Sequence, residues 1–317
     1  MNDFLPWVEK YRPKNINEII SHDQNIETIK LLLKNNSLPH LLFYGSPGTG
    51  KTSTILSIAK EIYGTNSRLM VMKLDASDDR GINSVREDIK GFAEKSNMFQ
   101  KGVKLIILDE ADSMTFDAQF ALRRIIEKYS TSIRFCLICN YENKIIHAIK
   151  SRCANFRFSN IDNIHIINKL QEIANNENID LKKEIINTIA ILAKGDLRKA
   201  INLLQSISMR SEEKTIEMCY ETSGIPSSNE LKKLLLILND KKIEFNRSYE
   251  LVTKIIKDNG YSLSIVLKEI ILELINNNLS QSNLPILVSE LSDLENMVTK
   301  STFGDIYISA LVGIFKK

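Results

Sequence analysis

The sequence predicts a parallel β-sheet with helices on both faces in its first half, and an all-helical second half. Three observations carry this reading. Short apolar runs alternate with helical patterns up to about residue 160. From 161 onward, apolar positions recur at helical spacing almost throughout. A glycine-rich loop also separates an early strand pattern from a helix pattern. Strands that alternate with helices need crossover connections, which favours a parallel sheet covered on both faces.

The elements follow in order. Leu41–Tyr44 is an apolar run that stops at Gly45, and it reads as the first strand. Leu69–Leu74, Leu105–Leu108 and Phe135–Ile138 read as further buried strands. Helical patterns cover 51–63, 83–95 and 117–129. In the second half, Ile185, Ile186, Ile189 and Leu192 mark one helical stripe. Leu197, Ala200, Ile201 and Leu204 mark another. No proline occurs between Pro47 and Pro226, so Gly224-Ile225-Pro226 is the best linker. Five helical patterns follow it. The expected domains are 1–160, 161–225 and 226–317.

The 317 residues carry 42 Lys and Arg against 39 Asp and Glu, a net charge of +3. Residues 1–160 hold 23 basic and 18 acidic side chains, whereas 161–227 hold 8 and 10, and the remainder is balanced. An apolar fraction of 43% can support folded cores and argues against disorder. Apolar runs such as Leu234–Leu238 are far shorter than a membrane span, so no membrane partner is expected. The N-terminus lacks the long apolar stretch of a secretory signal. Four cysteines are too few for a disulfide scaffold and fit a reducing compartment.

Residues Gly45-Ser46-Pro47-Gly48-Thr49-Gly50-Lys51-Thr52 fit G-x-x-x-x-G-K-[ST] between a predicted strand and a predicted helix. The glycines let backbone N–H groups close around phosphates, and the helix N-terminus adds partial positive charge. Lys51 is expected to reach the β- and γ-phosphates, and the Thr52 hydroxyl to bind Mg²⁺. Ser53 continues the helix start. Asp109 and Glu110 end the strand Leu105–Leu108, 58 positions beyond Lys51. Asp109 suits Mg²⁺ held through water, and Glu110 suits activation of the attacking water. The run Asp109-Glu110-Ala111-Asp112 raises a helicase reading. The mostly helical remainder offers no second sheet-containing motor, so that reading is set aside.

Further blocks identify a resemblance. They are Leu5-Pro6-Trp7-Val8-Glu9-Lys10-Tyr11-Arg12-Pro13, Leu38-Pro39-His40-Leu41-Leu42 and Ala76-Ser77-Asp78-Asp79-Arg80-Gly81-Ile82. Arg134-Phe135-Cys136-Leu137-Ile138-Cys139-Asn140-Tyr141, Ser151-Arg152-Cys153 and Gly195-Asp196-Leu197-Arg198 complete them. The chain resembles the small subunits of replication factor C, the sliding-clamp loader of the AAA+ ATPase class. Asp79 and the Pro-Trp opening are most similar to the branch called subunit 3 in yeast and subunit 5 in human.

The resemblance implies an ATPase with ATP and Mg²⁺ as cofactors. It implies an AAA+ motor, a small helical lid and an all-α collar. Partners would be the other subunits of a hetero-pentamer, the sliding clamp PCNA and primer–template DNA, in the nucleus. By resemblance, Val8, Arg12 and Ile20 border the adenine, and Tyr11 and Pro13 shape its pocket. Asn140 matches the first sensor of the γ-phosphate, and Arg198 the second. Arg152 matches an arginine finger that acts on the neighbouring subunit's ATP. Against the family pattern, Ser46 replaces a usual proline and Asp75 a usual Asn. His147 and Lys150 replace a usual Pro and Gln.

Residues 80–104 hold six basic and three acidic side chains. Arg80, Arg86 and Lys90 are the candidate DNA contacts, with a solvated helix face as the other reading. Such contacts would reach phosphates without reading sequence. Cys136-x-x-Cys139 has zinc-like spacing, with His147 and Cys153 nearby, but it lies in an apolar strand and reads as buried cysteine. Met114 and Phe116 are the candidate clamp contacts. An aromatic core position at a helix start is the competing reading for Phe116.

Overall fold

A computed structural model describes residues 5–35, 37–76, 81–94, 103–210, 213–276, 284–300 and 304–316, with the side chains of 81–86, 94 and 304 left undescribed. By Cα proximity the chain divides into two compact units. The first is Met1–Asp180 with Ala193–Gln205, and the second is Leu181–Leu192 with Ser206–Lys317.

The first unit opens with the short helix α1 (Trp7–Lys10) and α2 (Asp23–Lys34). Strand β1 (His40–Gly45) leads into α3 (Lys51–Tyr63), and α4 (Ser67–Met70) into β2 (Val71–Asp75). Helix α5 (Gly81–Glu94), β3 (Lys104–Asp109), α6 (Phe116–Tyr129) and β4 (Ile133–Cys139) come next. Helix α7 (His147–Lys150), β5 (Cys153–Phe158) and α8 (Asn163–Asn176) follow.

The five strands form one sheet in the order β2-β3-β4-β1-β5, with every neighbouring pair parallel. Alternate residues feed two cores, as the two-residue strand period requires. Leu41, Phe43, Leu105, Ile107, Cys136, Ile138, Phe156 and Phe158 join residues of α2 and α3 on one face. Leu42, Ile106, Leu108, Phe135, Leu137 and Cys139 join residues of α5, α6 and α7 on the other. The sheet's connections diverge between β1 and β4. A crevice at the carboxyl ends of such strands is the usual ligand position in an open parallel sheet.

Helices α9 (Lys183–Ala193), α10 (Leu197–Ser208) and α11 (Ile216–Ser223) continue the chain. Seven positions of the predicted stripes, Ile185, Ile186, Ile189, Leu192, Ala200, Ile201 and Leu204, are under 5% exposed, while Leu197 is only half-buried. Gly224 ends α11 in the left-handed conformation. Ser227 then caps α12 (Ser228–Asn239) in a capping box with Glu230. Helices α13 (Phe245–Asp258), α14 (Leu263–Asn276), α15 (Leu284–Lys300) and α16 (Gly304–Lys316) complete the second unit. Their core holds Leu234, Leu238, Val252, Val266, Leu267, Ile270, Leu291 and Leu311. Among the described residues, no helix is long and apolar enough to cross a membrane.

Three differences from the sequence reading stand out. Leu69 and Met70 close the helical turn α4 rather than opening a strand, which begins at Val71. Leu69 is 71% exposed while Met70 is 2% exposed, so the apolar run spans a change of element. Strand β5 and helix α2 were not anticipated. β5 is an edge strand that alternates exposed Asn155 and Arg157 with buried Phe156 and Phe158, two periods only and a weak signal.

Candidate functional site

The loop 45–50 joins β1 to α3, and all three of its glycines adopt conformations that other residues resist. Gly48 has φ +69°, and Gly50, at the N-cap of α3, has φ +94°. Gly48 also lies against Asp196, where an added Cβ would stand 1.7 Å from Oδ1. The Leu197 amide donates to the Gly48 carbonyl at 3.3 Å. The segment before α10 is therefore built directly onto the phosphate loop.

Lys51 is 6% exposed. Its Nζ donates to the carbonyls of Gly45 at 2.6 Å and Ser46 at 2.8 Å, and to Asn140 Oδ1 at 3.0 Å. Burial pushes this ammonium below its ordinary pKa, while Cys139, Asp109 and Asp112 act in the opposite direction. Asn140 follows β4 directly, so the lysine after β1 and the amide after β4 meet at the divergence of the sheet.

The Thr52 hydroxyl donates to Asp109 Oδ2 at 3.1 Å. Lys73 Nζ pairs with the same oxygen at 3.2 Å. Glu110 follows in a left-handed conformation, φ 53°, which places the exposed carboxylate off the end of β3. Such backbone costs a non-glycine residue about 1 kcal/mol or more and concentrates at functional sites.

A single pocket collects these groups. Its lining includes Pro47, Gly48, Thr49, Gly50, Lys51, Thr52 and Ser53 from the loop and helix, with Asp109, Glu110 and Asn140 from the strand ends. Val8, Tyr11, Arg12, Pro13 and Ile20 line the other wall, as does the exposed Arg198. Gly45 and Ser46 are outside the lining and act as acceptors for Lys51. Apolar Ile19, Ile161, Leu197 and Ile201 complete a half-polar, half-apolar cleft suited to a base with a phosphate tail.

The N-terminal wall is tied down. Lys10 Nζ pairs with Glu177 Oε1 at 2.7 Å, and the Tyr11 hydroxyl donates to that oxygen. These bonds hold the Glu177 carboxyl below its ordinary pKa, Lys10 most strongly, while burial and Glu177 push the Tyr11 phenol up. The Trp7 amide donates to Gln205 Oε1 at 3.1 Å.

Arg152 is not in the pocket lining. Its guanidinium donates to the Ala148 carbonyl at 2.7 Å and pairs with Glu127 Oε1 at 2.6 Å. The buried Gln119 bonds the Lys144 carbonyl at 2.9 Å and accepts from the Ile146 amide at 2.9 Å. It thus fixes the loop that enters α7 just ahead of Arg152.

Several residues escaped sequence reading. Asp112 Oδ2 accepts from the amides of Asn140 and Tyr141, both at 3.2 Å, and holds the segment that follows β4. Its place in Asp109-Glu110-Ala111-Asp112 was the available signal. Asp196 lies in the block Gly195-Asp196-Leu197-Arg198 without a role of its own there, whereas Gln119, Lys73 and the pocket-lining Lys169 carry no signal, because long-range contacts define their roles.

Cys136 and Cys139 stand three positions apart on β4 and so face opposite cores. They cannot converge on one ion. Burial raises the Cys139 thiol to about 12, and among the described residues no His, Cys, Asp or Glu cluster could hold a metal alone. Lys90 is exposed on α5, opposite buried Ile89 and Phe92. Arg80 and the Arg86 side chain lie outside the described residues. Phe116 is 66% exposed, which removes the core reading, and Met114 packs partly buried against the α6 core.

Comparisons with known proteins agree with this geometry. Residues 41–161 match the ATPase family associated with various cellular activities (AAA). Residues 168–209 match the RCF1/5-like AAA+ ATPase lid domain. The chain is 44% identical to probable replication factor C subunit 5 of Dictyostelium discoideum over 98% of its length and 90% of that protein's. It is 41% identical to replication factor C subunit 5 of Homo sapiens, covering 98% and 92%. It is 40% identical to replication factor C subunit 3 of Schizosaccharomyces pombe, covering 98% and 91%. Among solved structures, the Thermotoga maritima RuvB Holliday junction branch migration motor aligns with TM-score 0.55 at 16% identity, covering 83% of this chain and 91% of that one. That likeness concerns the fold alone.

Proposed function

Because the chain belongs to the replication factor C subunits, ATPases of the AAA class, we propose that it is an ATP-switched subunit of a clamp-loading hetero-pentamer. The complex opens the sliding clamp PCNA and places it on primer–template DNA in the nucleus, in replication and repair. The motor spans 1–160, the lid 161–225 and the collar 226–317.

Within the site, Val8, Tyr11, Arg12, Pro13 and Ile20 hold the base. Backbone amides of 47–53 take the phosphates, and Lys51 turns from its carbonyl partners toward the β- and γ-phosphates. Glu110 orients the attacking water and takes its proton. Asn140, already bonded to Lys51, senses the γ-phosphate, and Arg198 reaches it from the start of α10. Thr52 and Asp109 offer hard oxygen donors 3.1 Å apart, a pair that fits Mg²⁺ completed by substrate oxygens and water. When bound, the ion offsets charge on the phosphate oxygens.

One observation carries the shared-site reading. The pocket gathers a full hydrolytic set from its own chain, yet Arg152 is outside it and exposed. This placement supports a role for Arg152 on the neighbouring subunit's ATP. Arg80, Arg86 and Lys90 meet DNA phosphates, and Met114 and Phe116 meet the clamp. The intact Lys51, Thr52, Asp109 and Glu110 argue against a subunit that binds nucleotide without turnover.

The test is a reconstituted complex carrying Glu110→Gln in this chain alone. Retention of ATP at this site, with the clamp held on primed DNA, is the expected result. Unchanged turnover at this site and unchanged clamp release would sink the reading.

A further inference from the structure

We propose that Lys73 is a resident counter-cation of the Asp109 carboxylate and sets the Mg²⁺ concentration at which nucleotide is retained. The proposal rests on the reading above that Thr52 and Asp109 serve the metal.

Lys73 lies on β2 two positions before Asp75, which is the register partner of Asp109. The two-residue strand period puts Lys73 and Asp75 on one face. From there Nζ reaches Asp109 Oδ2 at 3.2 Å, the same oxygen that takes the Thr52 hydroxyl at 3.1 Å. The other carboxylate oxygen accepts from the Glu110 amide at 3.2 Å. Both oxygens are thus held before any metal arrives.

Lys73 is not in the nucleotide pocket lining, so it approaches Asp109 from the sheet edge. Its side chain is 47% exposed while that of Asp109 is 18% exposed. A unit positive charge on the oxygen that must face a dication lowers the carboxylate's attraction for that ion. The flexible lysine stem also lets the ammonium withdraw once the metal is bound. Lys73 is a positioning residue that acts through Asp109. Solvent screening of a half-exposed pair limits its effect to about 1.5- to 5-fold in metal affinity.

The test uses the full chain and a fluorescent ATP analogue, with nucleotide retention read as free Mg²⁺ is titrated. Lys73→Gln is expected to lower the Mg²⁺ midpoint about 1.5- to 5-fold, with metal-free binding unchanged. Lys73→Met, which keeps most of the stem, should shift the same way, and Lys73→Arg should keep the wild-type midpoint. An unchanged or higher midpoint in both neutral variants overturns the proposal. Asp109→Asn separates the two layers. If it leaves the midpoint untouched, the metal reading itself fails. If it raises the midpoint while the neutral variants do nothing, only the role of Lys73 fails.

Discussion

Replacing Gly48 by alanine tests how the phosphate loop and the start of α10 are joined. Gly48 and Gly50 both have positive φ, +69° and +94°. Alanine at either position costs about 1 kcal/mol of backbone strain. The surroundings differ. A Cβ on Gly50 meets nothing within 4 Å, whereas one on Gly48 stands 1.7 Å from Asp196 Oδ1. Asp196 must then move, and its side chain accepts from the Lys199 amide at 3.0 Å at the start of α10. Loss of a helix cap costs about 1 kcal/mol. Loss of the bond from the Leu197 amide to the Gly48 carbonyl, 3.3 Å, costs about 1 kcal/mol more. Gly48→Ala should therefore exceed Gly50→Ala by about 2 kcal/mol, or about 30-fold in local opening. The assay is hydrogen exchange at the Leu197 and Lys199 amides without nucleotide. In an Asp196→Ala background, Gly48→Ala should add only the strain. Equal exchange in the Gly48→Ala and Gly50→Ala variants would refute the reasoning.

Other consequences follow from the same geometry. Lys51→Ala should abolish tight nucleotide binding, because it removes the ammonium that the carbonyls of Gly45 and Ser46 and the amide of Asn140 hold in the pocket; equilibrium binding measures it. Glu110→Gln should slow hydrolysis in the assembled complex by about 10²- to 10⁴-fold while nucleotide affinity holds; single-turnover kinetics separates the two. Arg152→Ala should reduce hydrolysis at the neighbouring subunit's site by about 10³-fold or more, read by single-turnover kinetics with the other sites disabled. The lone chain should keep its nucleotide affinity and unfolding midpoint, because the Arg152–Glu127 pair is 34% and 41% exposed and such pairs contribute little. Burial chiefly, with Arg134 nearby, pushes His40 down to about 4, and its Nδ1 accepts the Phe135 amide. The unfolded chain thus binds more protons between the ordinary value of about 6.5 and about 4. Stability should fall as pH drops through that window and stay flat above it. Urea midpoints from pH 4 to 7 should show that slope in wild type and a shallower one in His40→Asn, the remainder coming from His22, whose pKa burial also lowers.

The site's chemistry was legible wherever a residue type is dictated locally. Gly45–Thr52 needs glycine at fixed offsets and a lysine at the helix start, and α3 begins at Lys51 and ends at Tyr63 as the pattern 51–63 predicts. Asp109 and Glu110 announce themselves by ending an apolar strand. Asn140, Arg152 and Arg198 were legible only through family resemblance, because one polar residue at an element's end has no pattern of its own. Lys73 and Gln119 had neither kind of signal. Their neighbours are 36 and 25 positions away.

The sequence by itself determined the alternation of strands and helices, the change to helices near 161, and the glycine-rich loop between β1 and α3. These rest on periodicity and local backbone chemistry, which a short stretch of chain carries within itself. Tertiary structure decided the strand order β2-β3-β4-β1-β5, the edge strand β5, and the separation of Cys136 from Cys139 by the sheet. It also brought Asp196 onto Gly48, and Lys73 and Thr52 onto one oxygen of Asp109. The physical reason is that only the register of parallel strands and the crossing of helices bring distant side chains within hydrogen-bond reach.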